Sequence, residues 1–419
     1  MSDDDTRSGS LSRRAFLGTV AGAAVAAKAP AGPAPSRRGG SGRRAAVVGA
    51  GAFGGFSALE LLRRGWKVTL FDAWGPGNSR ASSGGETRVI RGVYGGQRIY
   101  TEMAARAFRL WHDHEAKWKT RLYHRTGALW MISDAGEYAR EAMPILRDNG
   151  FAYEELTVAE AARRHPQISF DGIAWALYEK EAGYLLARQA CARVVEGFVA
   201  EGGEYRVATA SPGSIEGGRL DRLRLSDGST VTADAYVFAC GPWLPKIFPD
   251  VMGSWIRPTR QEVFYFGTPD GDRRFDENRF PVWVEIPRFF YGIPGNDRRG
   301  FKIADDSRGE PFDPTDGERV VSAGGLQSAR EYIARRFPAL ARAPLVESRV
   351  CQYENSPDSH FVIDRHPGAE NVWIAGGGSG HGFKHGPAVG EVVARAVSGE
   401  KAPDALFSLA RPREKGGAS

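Results

Sequence analysis

Cys351, Lys384 and a glycine-rich turn stand within 34 residues of one another. The run is Cys351-Gln352-Tyr353, then Phe361 to Pro367, then Gly376-Gly377-Gly378-Ser379-Gly380-His381-Gly382-Phe383-Lys384. A glycine turn from a buried strand into a helix aims backbone N–H groups and the positive end of the helix dipole at one spot. Such a turn can stabilise negative charge on a bound ring; read alone, it can equally be a packing turn. Lys384 at a helix start is locally unfavourable, because the dipole repels a cation there, and an anionic ligand would relieve that conflict. Gly84-Gly85-Glu86-Thr87-Arg88-Val89-Ile90-Arg91 sets two arginines three apart, a spacing that suits a carboxylate or phosphate. By itself that stretch reads first as a solvated charged loop. Lys302, in the otherwise apolar Gly300-Phe301-Lys302-Ile303, reads first as a water-facing strand lysine, and Tyr291 as a core tyrosine. The sequence holds no nucleophile elbow, zinc-type His/Glu pair or Walker loop.

These residues need elements to position them. Arg44 to Val48 is a short continuous apolar run, as expected of a buried parallel strand. Gly49-Ala50-Gly51-Ala52-Phe53-Gly54 follows, then a helix over Phe53 to Arg64, then a strand Lys67 to Phe71 ending in Asp72. That is one βαβ unit with an acid 18 residues after its last glycine, the pattern of a dinucleotide site. Gly49 and Gly51 allow a tight turn and close approach of a pyrophosphate, Gly54 lets helix and strand pack, and Asp72 would accept from a ribose.

Further helices are expected over Arg98 to Trp118, Ala135 to Asp148, Thr157 to His165 and Ala187 to Glu201, where apolar residues recur at three- and four-residue spacing. Leu220 to Ala233 alternates around Asp227-Gly228 and reads as a hairpin. Between Ile256 and Arg349, short aromatic and β-branched runs alternate with Pro/Gly/Asp turns, as in an antiparallel sheet; a helix is expected over Ser328 to Phe337. Asn371 to Ala375 is again a buried strand, followed by the glycine turn and a final helix from Phe383 to about Val397. The expected fold class is α/β: a Rossmann-type nucleotide-binding domain, discontinuous in sequence (43–97, 151–245 and 351–410), around an α+β substrate domain with an antiparallel sheet (98–150 and 246–350).

The chain of 419 residues, 42% hydrophobic and 11% aromatic, can bury a sizeable core and is neither disordered nor fibrous. Its formal charge is +6, but residues 1–40 hold six basic against three acidic side chains, so the remainder is too nearly balanced to predict nucleic-acid binding. Cys191, Cys240 and Cys351 are too widely spaced for a disulfide framework or metal site. Cys191, on a helix, and Cys240, at a strand end, read as packing residues. Ser12-Arg13-Arg14-Ala15-Phe16-Leu17, a short apolar run to Ala27 and a small-residue exit have the anatomy of a twin-arginine signal peptide. Residues 1–42 are therefore expected to be that signal and its linker, with the export machinery as a transient partner and a periplasmic, cell-wall or extracellular destination. No segment is expected to span a membrane.

Taken together, from Arg43 to Val397, the chain resembles the monomeric sarcosine oxidase family of flavin amine oxidases, in the D-amino-acid-oxidase-like superfamily. The resemblance is carried by Gly49–Gly54, Asp72-Ala73, Gly85–Arg91, Tyr291–Pro294, Gly300–Lys302, Cys351–Tyr353, Phe361–Pro367 and Ser379–Lys384. It implies FAD as cofactor, attached by a thioether to Cys351, with Arg88 packed against the flavin and Ser379, Gly380 and Gly382 beside it. It implies that Arg91 and Lys384 hold a substrate carboxylate, that Lys302 activates O₂, and that Tyr291 and His381 line the site. The implied reaction oxidises a secondary or N-alkylated α-amino acid to an imine and forms H₂O₂. A dehydrogenase of the same fold using another acceptor, and a non-catalytic FAD-binding protein, are the alternatives. One position departs from the family: a histidine expected four residues after the lysine is Asp306 here. A carboxylate there repels a carboxylate and attracts a cation, which points away from sarcosine toward an N-methylated, cyclic or glycated amino acid.

Overall fold

The computed structural model describes residues 42–412. The expected export segment therefore lies outside the described residues, apart from Gly42.

Two sheets organise the molecule. The first has six strands in the order Val362–His366, Ala369–Gly376, Ala235–Phe238, Arg44–Val48, Lys67–Asp72, Glu204–Val207. Arg44–Val48 pairs in parallel with both neighbours, and the edge pair Val362–His366/Ala369–Gly376 is antiparallel. The alternation of side chains across a strand divides this sheet between two cores. Ala45, Val47, Leu70 and Val237 face the helices Ala52–Arg63, Ala187–Ala200 and Gly386–Val397, while Ala46, Val48, Phe71 and Phe238 face Leu223, Leu225 and Leu244. Burial on both faces is why these strands read as continuous apolar runs.

The second sheet has eight strands in the order Leu345–Asn355, Arg257–Phe266, Phe301–Asp305, Phe290–Ile293, Val282–Ile286, Ala128–Ile132, Trp175–Glu179, Tyr153–Leu156. Pairing is antiparallel except between Val282–Ile286 and Ala128–Ile132. One face packs on the helix Ala323–Arg336, where Trp283 stacks on Tyr332 with ring centroids 5.5 Å apart. Phe301 and Ile303 belong to that core. Lys302 and Ala304, one residue out of phase, point to the opposite face. The period of two thus gives a lysine in an apolar strand a buried position: Lys302 is 2% exposed, against the first reading of a water-facing side chain.

Four expectations are corrected. Tyr153–Leu156 and Trp175–Glu179 join the second sheet, although 151–245 was assigned to the nucleotide-binding part; their apolar texture does not say which sheet they pair with. The strand carrying Cys351 also starts at Leu345 and belongs to the second sheet. Conversely, Arg98–Trp118, assigned to the substrate part, packs through Ala104, Ala107 and Trp111 into the core shared with Ala52–Arg63 and Gly386–Val397. The final α-helix begins at Gly386, and Lys384 sits in a preceding 3₁₀ turn, Phe383–His385. Cys191 is buried, its thiol pushed up to about 12 by burial, and Cys240 sits at a strand end with Sγ 3.4 Å from the Val48 carbonyl oxygen. No described helix is long and apolar enough to cross a membrane.

Candidate active site

Two adjoining cavities run along the seam between the sheets, and Arg88, Tyr353, Gly380 and Phe383 line both. The smaller, about 290 Å³, is lined by Gly49, Gly51, Asp72 and Glu354; the larger, about 520 Å³, by Arg91, Tyr291, Asp306, Cys351, His381 and Lys384.

The glycine motif shapes the first. Gly49 adopts φ +104°, and a Cβ there would lie 2.4 Å from the Ala239 carbonyl oxygen. A Cβ on Gly54 would lie 1.8 Å from the Gly49 oxygen, so Gly54 is required by helix–strand packing. Gly51 differs: its φ is −75°, and a Cβ would meet nothing closer than Ser83 Oγ at 3.5 Å. The protein itself leaves room at Gly51, so the bare backbone there serves the cavity. Asp72 Oδ2 accepts from Ala50 N at 2.8 Å and Oδ1 from Trp74 N and Gly75 N. These bonds tie the acid to the glycine turn. A glycine cradle and a fixed acid at neighbouring strand ends are the surroundings a dinucleotide needs, so the residues present fit an FAD.

Arg88 stands where the cavities meet. Its guanidinium donates to Thr87 O, Ser82 O and, at 3.3 Å, to Cys351 Sγ. Cys351 projects from the edge strand Leu345–Asn355, opposite Gln261. Gly380 closes this part of the wall with φ +79°, and a Cβ there would strike the Tyr353 ring at 2.7 Å. Ser379 turns back, its hydroxyl donating to Gly377 O at 3.0 Å and accepting from Ser356 N at 3.1 Å. Gly382 packs on Gly378 and Phe53.

At the other end two cations come together. Arg91 lies 4.4 Å from the centroid of the Tyr94 ring and 5.1 Å from that of Trp130, and donates to Val93 O. Lys384, 4% exposed, donates to Tyr94 Oη at 2.8 Å and to His381 O at 2.7 Å. Burial, then the neighbouring Arg91, holds the Lys384 ammonium well below its ordinary value. The Tyr94 hydroxyl also reaches His385 Nε2 at 2.7 Å, which fixes its orientation. His381 Nε2 lies 2.9 Å from Ser359 O. Burial and Lys384 push His381 down to about 3, so it is neutral and donates from Nε2 to that carbonyl. Lys302 sits beside the cavity, its Nζ 3.0 Å from Thr87 O and 5.7 Å from the centroid of the Tyr291 ring. Burial, reinforced by Arg88, lowers it to about 7.

The structure therefore gathers Arg88, Arg91, Tyr291, Cys351, His381 and Lys384 around one cavity, with Lys302 just behind its wall. It also brings in residues the sequence did not single out. Tyr94 orients Lys384, and Glu179 accepts from Gly92 N and Trp130 Nε1, both at 2.7 Å, beneath Arg91. Asp306 faces the same space and accepts from the Tyr353 hydroxyl at 2.5 Å. Burial raises its carboxyl while Tyr353, Arg91 and Lys384 oppose the rise. Tyr94 lies three residues after Arg91, and nothing in that spacing marks it.

A family model described as FAD dependent oxidoreductase (DAO) matches residues 44–396. The monomeric sarcosine oxidase of Arthrobacter sp. (strain TE1826) is 31% identical over 88% of this chain and 96% of its own length. The N-methyl-L-tryptophan oxidase of Yersinia pestis (strain Pestoides F) is 26% identical over 88% and 98%. Among solved structures, an L-proline dehydrogenase from P. horikoshii superposes with a TM-score of 0.77 at 20% identity, covering 88% of this chain and 97% of that one.

Proposed function

Because the chain belongs to the DAO family of FAD dependent oxidoreductases, we propose that it oxidises the C–N bond of a secondary or N-alkylated α-amino acid, with O₂ as acceptor. The observation that carries this reading is the pairing of Arg91 and Lys384 at one end of a cavity that Trp130, Tyr138 and Tyr291 also line. Two buried like charges are unfavourable, and Asp306 and Glu179 offset them only in part, since Lys384 stays well below its ordinary value despite both. An amino-acid carboxylate meets that need and restores the charged form of Lys384.

FAD, when bound, supplies the two-electron redox capacity that no side chain has. The chain's residues do the rest. Arg91 and Lys384 anchor the carboxylate, so the amine and its α-carbon are presented in one orientation. Tyr94 holds the Lys384 ammonium at a fixed point, and neutral His381 and Tyr291 shape the wall. The amine loses two electrons and two protons to become an imine, O₂ gains both to become H₂O₂, and water hydrolyses the imine. Lys302 keeps a positive charge near the place where O₂ is reduced. Cys351, with Arg88 donating to its sulfur, is the attachment point for a covalent flavin in this reading.

Asp306 sets the substrate class. A carboxylate in the cavity with Arg91 and Lys384 would stabilise an ammonium, whereas the reaction needs a neutral amine. The cavity therefore suits an amino acid larger than sarcosine, N-methylated, cyclic or glycated, and of these a glycated one brings hydroxyl donors for Asp306. The named sequence relatives act, by their names, on sarcosine and N-methyl-L-tryptophan, both N-methylated amino acids. Export by the twin-arginine route rests on residues 12–28 and suits a protein that acquires its cofactor before translocation.

A peroxide-coupled screen over N-methyl, cyclic and glycated amino acids tests the reading. H₂O₂ formed from at least one of them is expected. Turnover with an artificial acceptor but no peroxide would replace O₂ as acceptor, and no turnover with either would leave a non-catalytic flavoprotein.

A further inference from the structure

Glu354 plays no part in the chemistry above. It lies on the strand Leu345–Asn355 and lines the smaller cavity, between Gly241 and the turn Gly376–Gly378. Its Oε2 is shut off from solvent and has no hydrogen-bond partner among the described residues. Its Oε1 lies 2.9 Å from where a Cβ on Gly378 would stand.

The ionisable groups around it give no counter-charge. From the strand end beside it comes the Cys240 thiol, kept neutral by burial, with Asp72 adding to the effect. From the paired strand Arg257–Phe266 the opposed residue is Pro258, and the turn offers only backbone. Tyr353 precedes it, with its hydroxyl committed to Asp306. Two cations line the same cavity, but Arg88 is engaged by Thr87, Ser82 and Cys351, and Lys246 by Asp313. An ionised Glu354 would thus be a buried carboxylate without a counter-ion, in the cavity that fits an anionic pyrophosphate.

We propose that Glu354 is a neutral carboxylic acid in the holoprotein, held without a counter-ion beside the bound anionic cofactor, so that FAD binding takes up a proton at this residue. The proposal rests on FAD occupying this cavity, and it stands or falls independently of the amine substrate and of O₂. Burial already lifts the Glu354 carboxyl to about 7, outweighing the Gly378 and Gly377 N–H groups that favour its charge. A bound anion lifts it further. The sign follows: affinity for FAD is complete below about pH 7 and declines as pH rises through that value, by at most about ten-fold per unit.

The direct test is the infrared spectrum of the full-length holoprotein at about pH 8, a unit above that value, as the difference between wild type and Glu354→Gln. A protonated carboxyl C=O band present in the wild type and lost in the variant is expected. Loss of carboxylate bands instead overturns the proposal. Where the variant does not fold, FAD binding to full-length Cys351→Ser apoprotein decides the matter, by calorimetry in buffers of different ionisation enthalpy at the same pH. Uptake of about one proton per FAD that persists when Lys302→Met is added supports the assignment; uptake of none, or uptake lost with Lys302→Met, overturns it.

Discussion

Lys302 shows most clearly how one side chain's surroundings set its chemistry. Its strand puts it on the cavity side of the sheet, and burial with Arg88 nearby brings it down to about 7. Its charged form therefore prevails below that value and is lost above it. In the O₂-activating role, reoxidation of pre-reduced flavin slows as pH rises through about 7, and Lys302→Met slows it about 10²-fold with a flatter profile. Rapid mixing with O₂ measures both, and wild-type reoxidation by Lys302→Met would remove Lys302 from the mechanism. Read alone, this lysine looked like a surface residue, because the alternation of faces is visible in sequence but the identity of the covered face is not. Asp306 was legible as a departure from the family pattern; its bond to Tyr353 was not, since the two residues sit 47 positions apart. The roles of Tyr94 and Glu179 are not visible in the sequence for the same reason: each acts through a partner distant in sequence.

At the scale of elements, the βαβ unit was readable because every part of it is local: an apolar strand, the glycines, a helix, a second strand and Asp72. The glycines nevertheless have different duties, and substitution separates them. Gly51→Val has space within the fold but fills the cavity, so the apoprotein should keep its thermal stability while FAD binding weakens at least about ten-fold, equal to about 1.4 kcal/mol. Gly54→Ala collides with the Gly49 carbonyl and should destabilise the apoprotein itself by about 1–3 kcal/mol, as overpacking does. Thermal melts of both apoproteins and FAD titrations of each check the pair; equal melting losses would mean that Gly51 is structural too. The less readable elements were those defined by distant partners. Trp175–Glu179 joins the second sheet through Ala128–Ile132 and Tyr153–Leu156, and no local pattern chooses that sheet. The 3₁₀ turn at Phe383–His385 shifts the α-helix start to Gly386. The dipole conflict foreseen for Lys384 is met there by the His381 carbonyl, which accepts from its Nζ.

For the whole molecule, the site belongs to neither sheet alone. The first sheet supplies the glycine motif, Asp72 and the turn that carries His381 and Lys384. The second supplies Tyr291, Lys302, Asp306 and the strand holding Cys351 and Tyr353, while Arg88 and Arg91 come from the segment between Lys67–Asp72 and Arg98–Trp118. A carboxylate bound between Arg91 and Lys384, as proposed, would thereby be fixed with respect to whatever the glycine cradle holds, which the proposed amine oxidation requires. The central claim is tested most directly by anaerobic titration of the full-length holoprotein with the N-methyl, cyclic and glycated amino acids, following flavin absorbance. At least one should bleach the wild-type flavin, and the same compound at the same concentration should bleach Arg91→Met and Lys384→Met at least about 10²-fold more slowly, as expected on losing one partner of a charged contact. A wild-type flavin that dithionite reduces but none of these amines does, or bleaching that survives both substitutions unchanged, would contradict it.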